Sequence, residues 1–500
     1  MTQTKTFSLL ETTIEDILAA YSARELSARE LVQSYLNRIQ AFDRDGPKIN
    51  SVINLNDKAL AEADRLDAAL KASGPVGPLH GIPVLLKDQM DAEGMPTTLG
   101  SVLFKDYYPD QDAFVTAKLK QAGAIILAKV TLGELGGGDT HGTLFGSTRN
   151  PYDLERTVGG SSGGSATGVS ANFGAVAVGQ EAFSSIRRPS AWNSVVGMRP
   201  TPGLVSRSGV YAGWPSRTAS LGPITRTVRD LATLLDSMAG YDPEDPMTAY
   251  GVGQAPPTYL AFLDAAGLRG ARIGILRQSM GNAAEPDSED FAKVTAVFDS
   301  AVGELRSAGA TVIDPVEIPR LNELLAKRAG EGNDGSFEVY MSRSANPPFK
   351  SQQEMTQSPG YVSLRARRAP SPIRVGAQEA HYEYLKAREE LMTNVLKVMA
   401  DNQLDAIVHK SVEHQPTLIK DGVNPPFVSS KGAAHLNTFL IYAASISVPA
   451  GFTSDGLPAG ITFFGRPYSE PTMLRLAYAY EQATAHRIPP NTTPKLAGEP

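Results

Sequence analysis

The chain has 500 residues, 42% hydrophobic and 20% charged, which supports a large buried core and excludes a disordered chain. Its 47 basic and 53 acidic side chains leave a net charge of -6, with no basic excess to neutralise phosphates, so a dedicated nucleic-acid binder is disfavoured. Cysteine is absent, which removes disulfides, thiolate metal sites, iron–sulfur clusters and cysteine nucleophiles.

In chain order, the N-terminus (MTQTKTFSLLETTIEDIL) lacks the basic start, apolar run and cleavage site of a secretory signal. Two helices follow. Thr12 with Glu15 and Ser27 with Glu30 have capping-box spacing, and Ile14, Ile17, Leu18, Tyr21 and Leu31, Val32, Tyr35, Ile39 recur at helical intervals behind them. A third helix is predicted over Lys58–Leu70, ending before Ser73-Gly74-Pro75. The apolar run Ile82–Leu86, bounded by Gly81 and Lys87-Asp88, reads as a buried strand with His80 packing at its start. Helix, glycine stop and strand then appear twice, ending at Gly123 before Ala124–Lys129 and at Gly309 before Ala310–Ile313. Asn346–Pro372, rich in Pro, Ser, Gln and Arg, reads as a long loop or lid, and a helix follows with Leu385, Met392, Val395, Leu396 and Met399 on one face. The most apolar stretch, Leu436–Phe452, is broken by Asn437, Thr438, Ser445, Ser447 and Pro449 and is too short to span a bilayer.

Length alone allows about three domains. The pattern instead predicts one α/β domain over residues 1–500, a mixed twisted sheet sandwiched by helices, with a helical extension over 1–75 and a variable, lid-like segment near 330–400.

Eleven of the 46 glycines fall between Gly133 and Gly168. Their centre is Gly159-Gly-Ser-Ser-Gly-Gly-Ser165, where the backbone can approach a ligand closely. A P-loop would need Gly-Lys-Ser/Thr, and a dinucleotide fingerprint would need G-x-G-x-x-G; neither is present. Gly160–Gly164 does match G-x-S-x-G, the nucleophile elbow of α/β-hydrolases, although a flexible Gly/Ser loop produces the same string.

Two further residues change the reading. Lys87 stands 74 residues before Ser161, closing Gly81-Ile-Pro-Val-Leu-Leu-Lys-Asp88, and Ser185 stands 24 residues after it, in Ser185-Ile-Arg-Arg-Pro. With Asn150-Pro-Tyr-Asp153, Thr157-Val-Gly-Gly-Ser-Ser-Gly-Gly-Ser165, Val196-Gly-Met-Arg-Pro-Thr201 and Ser447-Val-Pro-Ala-Gly-Phe452, the sequence resembles the amidase signature family to about Ala483. Each motif is weak alone; their order and spacing are specific.

The resemblance implies that Ser185 is the nucleophile, Ser161 a bridging serine preceded by a cis peptide, and Lys87 the base. A lysine can take a proton only when neutral, and the apolar strand before Lys87 predicts desolvation in that direction. The amides of Ala182, Phe183, Ser184 and Ser185 are implied as the oxyanion hole. Where the family commonly has Gly-Gly before the nucleophile, this chain has Phe183-Ser184; Phe183 is expected to line the substrate pocket, with Gly137 and Gly138 of the glycine-rich loop also at the substrate. Ser162 is expected to shape the loop, and Glu181 to be structural. His409 and His414, five apart, do not match H-E-x-x-H, and Asp139 with His141 is a weak metal pair; no metal site and no cofactor are expected.

The expected activity is hydrolysis of an amide-type C–N bond (amide, arylamide or carbamate, with esters allowed) through an acyl-enzyme. The expected partner is a small-molecule substrate, without nucleic acid or membrane, in a cytoplasmic monomer or homodimer. Lack of an N-terminal membrane helix weighs against the fatty-acid amide branch, and lack of an added C-terminal domain against allophanate hydrolases. The alternatives are a glutamyl-tRNA amidotransferase-like transamidating protein that works on aminoacyl-tRNA with partner chains, and a non-catalytic scaffold.

Overall fold

The computed structural model describes residues 7–330, 334–365, 378–434 and 443–500. One sheet of eleven strands runs through it. In chain order they are β1 (Val52–Leu55), β2 (Pro83–Lys87), β3 (Ile125–Val130), β4 (Val176–Glu181), β5 (Val196–Arg199), β6 (Ser220–Thr225), β7 (Arg272–Leu276), β8 (Thr311–Val316), β9 (Ala406–Lys410), β10 (Ala443–Phe452) and β11 (Pro458–Pro467). Their spatial order is β1-β3-β2-β4-β6-β5-β10-β11-β9-β7-β8. Pairings β3–β2, β2–β4, β9–β7 and β7–β8 are parallel and the rest antiparallel, which makes the sheet mixed. Strands β2, β3 and β4 are buried at every position, as expected for parallel strands covered on both faces.

Helix α1 (Ile14–Ala23) starts one residue later than its sequence suggests: Thr13, not Thr12, is the cap, in a reciprocal box with Asp16. Both threonines have an acid three residues on, so spacing cannot separate them. Tertiary contacts do, because the Thr12 carbonyl accepts from Arg226 at 2.7 Å and Ile14 N donates to Asp230 at 3.0 Å. In α2 (Ala28–Arg38) the Ser27–Glu30 box forms as read. Helix α3 (Ala59–Ser73) runs three residues past its predicted end. The helical extension also contributes β1, a four-residue antiparallel edge strand too short for its sequence to announce.

Both glycine stops take the left-handed conformation, Gly123 at φ +91° and Gly309 at φ +94°, and each leads into its predicted strand. Asn346–Pro372 is not a structureless loop. Short helices form over Gln352–Gln357 and Pro359–Arg365; Ser351 caps the first, and Met355 is buried in an aromatic cluster with Phe104, Tyr107, Tyr211, Phe337 and Tyr340. Residues 366–372 of that stretch lie outside the described residues. The helix over Gln378–Asp401 buries Tyr384, Leu391, Val395, Val398 and Met399, while Leu385 is exposed. Its apolar face is rotated from the predicted one because the neighbouring helix Leu321–Ala326 and strands β7 to β9 accept those side chains instead.

Of the apolar stretch Leu436–Phe452, residues 436–442 lie outside the described residues and the rest is the buried strand β10. Among the described residues, no helix is long and apolar enough to cross a membrane.

Candidate active site

Strands β2 and β4 are parallel neighbours, paired Leu86 to Val178, so their C-terminal ends emerge on the same edge of the sheet. Lys87 ends β2 and Glu181 ends β4. Loops at the carboxyl ends of parallel strands are where α/β sheets place their ligands. Lys87 is 1% exposed, and burial drives its ammonium well below the ordinary lysine range, opposed in part by the negative charge of Glu181. Its Nζ lies 2.7 Å from Ser161 Oγ and 3.3 Å from the carbonyl oxygen of Gln180. A neutral amine in that position has a lone pair with which to accept the Ser161 proton.

Ser161 sits in the loop between the strand Asp153–Thr157 and helix α4 (Gly163–Ser170), and the Gly160–Ser161 peptide is cis. Position 160 has to be glycine: a Cβ there would lie 2.5 Å from the Gly138 carbonyl oxygen. The loop is held on three sides. Gly133 N donates to the Ser161 carbonyl at 3.0 Å, and Ser162 N to the Ser185 carbonyl at 3.0 Å. The Ser162 hydroxyl bonds both the carbonyl (3.1 Å) and the amide (3.2 Å) of Gln180. Ser162 therefore spends its hydroxyl on loop architecture.

Ser185 ends the turn between β4 and α5 (Arg187–Trp192) and is half-buried, whereas the Ser184 side chain is 1% exposed with its Oγ enclosed. Of the two adjacent serines, Ser185 is the accessible one. Three carbonyls of the turn are taken up from within the protein: Phe183 by Arg187 Nη2 at 3.0 Å, Ser184 by Arg188 N at 2.9 Å, Ser185 by Ser162 N at 3.0 Å. A trans peptide points its N–H opposite to its C=O, so the amides of Ser184 and Ser185 face away from these donors. Glu181 anchors the turn from below, accepting from Ile186 N (2.8 Å), Arg187 N (2.9 Å) and Arg187 Nε (2.7 Å). Burial acts to raise its carboxyl, but Arg187, Arg199 and the amide bonds outweigh that and hold it below the usual carboxylate range.

A family model described as Amidase matches residues 30–474. The chain belongs to the amidase signature family. It is 33% identical over 480 residues to a glutamyl-tRNA(Gln) amidotransferase subunit of Heliobacterium modesticaldum, covering 92% of this chain and 94% of that one. Against the "Probable amidase" of Arabidopsis thaliana it is 33% identical over 518 residues, covering 97% and 92%. Among solved structures, the native peptide amidase of Stenotrophomonas maltophilia superposes with a TM-score of 0.83 at 34% identity, covering 97% of this chain and 99% of that chain.

Measured against the amidase signature pattern, the Phe183-Ser184 departure has a structural counterpart. The half-buried Phe183 ring is covered by Arg328, whose guanidinium carbon lies 4.2 Å from the ring centroid. Arg328 comes from the segment after β8 and carries no motif, so sequence reading had no signal for it. Gly137 is exposed, and a Cβ added there would meet nothing within 4 Å; Gly138 lies beside Ser429 Oγ. Arg188 is a second residue at the site that spacing did not single out. It is buried, donates to the Gly160 carbonyl from Nε (3.1 Å) and Nη2 (2.7 Å), reaches the Gly138 carbonyl at 3.2 Å, and pairs with Asp139. Asp139 is thus engaged by a cation, and His141 Nδ1 bonds Ser147 Oγ at 2.8 Å. Among the described residues, no three metal-ligating side chains converge.

Proposed function

We propose that this amidase signature protein is a serine hydrolase that cleaves amide-type C–N bonds through an acyl-enzyme on Ser185. The observation that carries the reading is the 2.7 Å contact between a buried Lys87 amine and Ser161 Oγ, beside the turn that ends in Ser185. Ser185 Oγ attacks the carbonyl while its proton passes to Ser161 and the Ser161 proton to Lys87. The tetrahedral oxyanion is received by amides of the Ala182–Ser185 turn, of which Ser184 and Ser185 face away from the protein donors. The proton returns through the same pair to the leaving amine, and water then hydrolyses the acyl ester.

The substrate we infer is a small-molecule amide, arylamide, carbamate or ester, including the terminal carboxamide of a short peptide derivative. Phe183, Gly137 and Gly138 would border it. The neighbouring aromatic cluster around Tyr211, Phe337 and Tyr340 supports a bulky or aromatic acyl group, and the likeness to a peptide amidase supports the carboxamide.

A second reading, a transamidating protein, is favoured by the 33% identity to an amidotransferase component. It requires turnover that depends on partner chains and tRNA. The discriminating experiment treats the purified chain with a fluorophosphonate probe, maps the labelled peptide, and assays aryl amides, carbamates, esters and primary carboxamides. Label on Ser185 with turnover by the chain alone is the expected result. Label elsewhere, or activity undiminished in S185A, overturns the assignment.

A further inference from the structure

Strand β4 pairs antiparallel with β6, β6 with β5, and β5 with β10, so β10 runs against β4 and leaves the sheet on the edge opposite Lys87. A groove of about 470 Å³ opens there, between the end of β10, the helix Glu289–Ser307 and the chain that follows the helix Glu470–Thr484. Its floor is apolar, with Val297 and Ala450 buried and the Phe452 ring half-buried, and Ile488 stands on the rim, 55% exposed. Tyr152 backs the Phe452 ring, with 5.5 Å between the two centroids.

His486 gives this groove a directed acceptor. Its Nε2 lies 2.9 Å from a Glu304 carboxylate oxygen that also accepts from the Tyr480 hydroxyl at 2.6 Å. A carboxylate only accepts, so the proton of that contact is on Nε2, and Nδ1 of the neutral imidazole presents a lone pair. Nδ1 faces position 451, where an added Cβ would lie 3.5 Å from Nδ1 and 3.7 Å from Cε1. Gly451, at φ +117°, keeps that side of the ring open. At the other end of the groove Lys293 Nζ is held by Glu289 at 2.8 Å and Asp455 at 3.0 Å. One cation against three carboxylates leaves the border net negative. Arg487, next to His486, is turned away, donating to Glu11 at 2.6 Å and to the Ser194 carbonyl at 2.7 Å.

The geometry points to a second ligand site on this edge of the sheet, for a primary ammonium carried on a short aryl or alkyl group. His486 Nδ1 accepts from the ammonium, Glu304 supplies the compensating charge behind the imidazole, and Val297 and Phe452 cover the apolar body. An aromatic ring in the wall favours a cation over a neutral group of the same size. An anion meets the lone pair of Nδ1 and the surrounding carboxylates, and Lys293 offers it no net attraction because two carboxylates already hold that amine. The site stands apart from the hydrolase reading, since none of its residues takes part in the chemistry at Ser185.

The test is calorimetric titration of the full chain with phenethylamine, 2-phenylethanol and phenylacetate. The amine is expected to bind with a Kd of about 1 mM or below, and the alcohol and the acid about tenfold more weakly or not at all. A296W fills the groove from an exposed helix position and should weaken the amine by about tenfold or more. H486F keeps a ring but removes the acceptor, and E304Q keeps a partner for Nε2 but removes the charge; each should weaken the amine by about three- to tenfold. Circular dichroism and melting temperature establish that each variant is folded. No saturable binding of the amine, an affinity unchanged in A296W or in H486F, or tighter binding of phenylacetate than of the amine overturns the site. Fluorophosphonate labelling of Ser185 runs in parallel and should be equal in wild type, A296W and H486F; its absence from wild type overturns the hydrolase reading and leaves the ammonium site standing.

Discussion

The guanidinium carbon of Arg328 lies 4.2 Å from the centroid of the Phe183 ring, so a side chain from the segment after β8 covers the turn that ends in Ser185. A cation over a phenyl ring contributes about 0.5–1 kcal/mol when partly solvated. R328A should therefore loosen Phe183 without unfolding the protein. F183G should remove the wall itself. Both are expected to raise relative kcat/KM for bulky acyl groups over small ones, by about two- to fivefold for R328A and more for F183G. An acyl-chain series measures this; an unchanged series in F183G would show that Phe183 does not border the substrate.

Burial lowers the Lys87 amine and Glu181 partly restores it. Only the neutral amine accepts a proton, so kcat/KM should rise with pH along a limb whose midpoint lies well below the usual lysine value. Removing the Glu181 charge in E181Q should move that limb to lower pH, a shift that loss of folding alone would not produce. The stability sign is separate. A depressed lysine pKa means that the unfolded chain binds more protons, so stability from this residue rises with pH between the folded value and 10.5. K87M removes this burden and should abolish turnover while raising the melting temperature at neutral pH.

Arg188 and Asp139 form a buried pair, both side chains almost fully enclosed. Breaking one side of such a pair typically costs about 3–5 kcal/mol because the other charge is left stranded. R188M should lose about that much in urea denaturation, and R188M/D139N should recover part of it. The arginine also holds the Gly160 carbonyl, so kcat should remain depressed in the double variant even where stability returns. Full recovery of kcat would sink the idea that Arg188 positions the Ser161 loop.

Tyr340 donates to Asp91 at 2.7 Å and so fastens the segment after β8 to the loop that follows Lys87. Burial raises the Asp91 carboxyl to about 6, with Tyr340, Lys129 and Thr97 pulling it back. Because its folded value lies above the ordinary value of 3.8, stability from Asp91 is greatest below that ordinary value and is lost as pH rises through about 6. Y340F deletes a hydrogen bond to the charged form, worth about 1.5–3 kcal/mol. The variant should be destabilised most at pH 7 and less at pH 5, as urea midpoints at the two values would report.

Much of this molecule is legible in one dimension because its determinants are local. The Ser27–Glu30 box, the glycine stops at Gly123 and Gly309, and the fully apolar strand before Lys87 each follow from neighbouring residues. Lys87, Ser161 and Ser185 lie far apart in the chain and are legible through the ordered family motifs around them. Where two local solutions were equivalent, as for Thr12 and Thr13, distant groups such as Arg226 and Asp230 chose between them. The rotated face of the Gln378–Asp401 helix and the ordered helices within 352–365 arose similarly, from partners that spacing does not encode.

The sequence by itself determined the family, the mixed sheet and the identity of the candidate trio, since order and spacing of short motifs survive without coordinates. Only the tertiary structure decided which atoms meet. It put Lys87 Nζ at 2.7 Å from Ser161 Oγ, enclosed Ser184 while leaving Ser185 reachable, and set Arg328 on Phe183. It also enclosed Gln89 Oε1 with no partner among the described residues. The reason is range: helix caps and strand patterns are written within a few residues, whereas desolvation and hydrogen-bond satisfaction depend on groups brought together from across the whole chain.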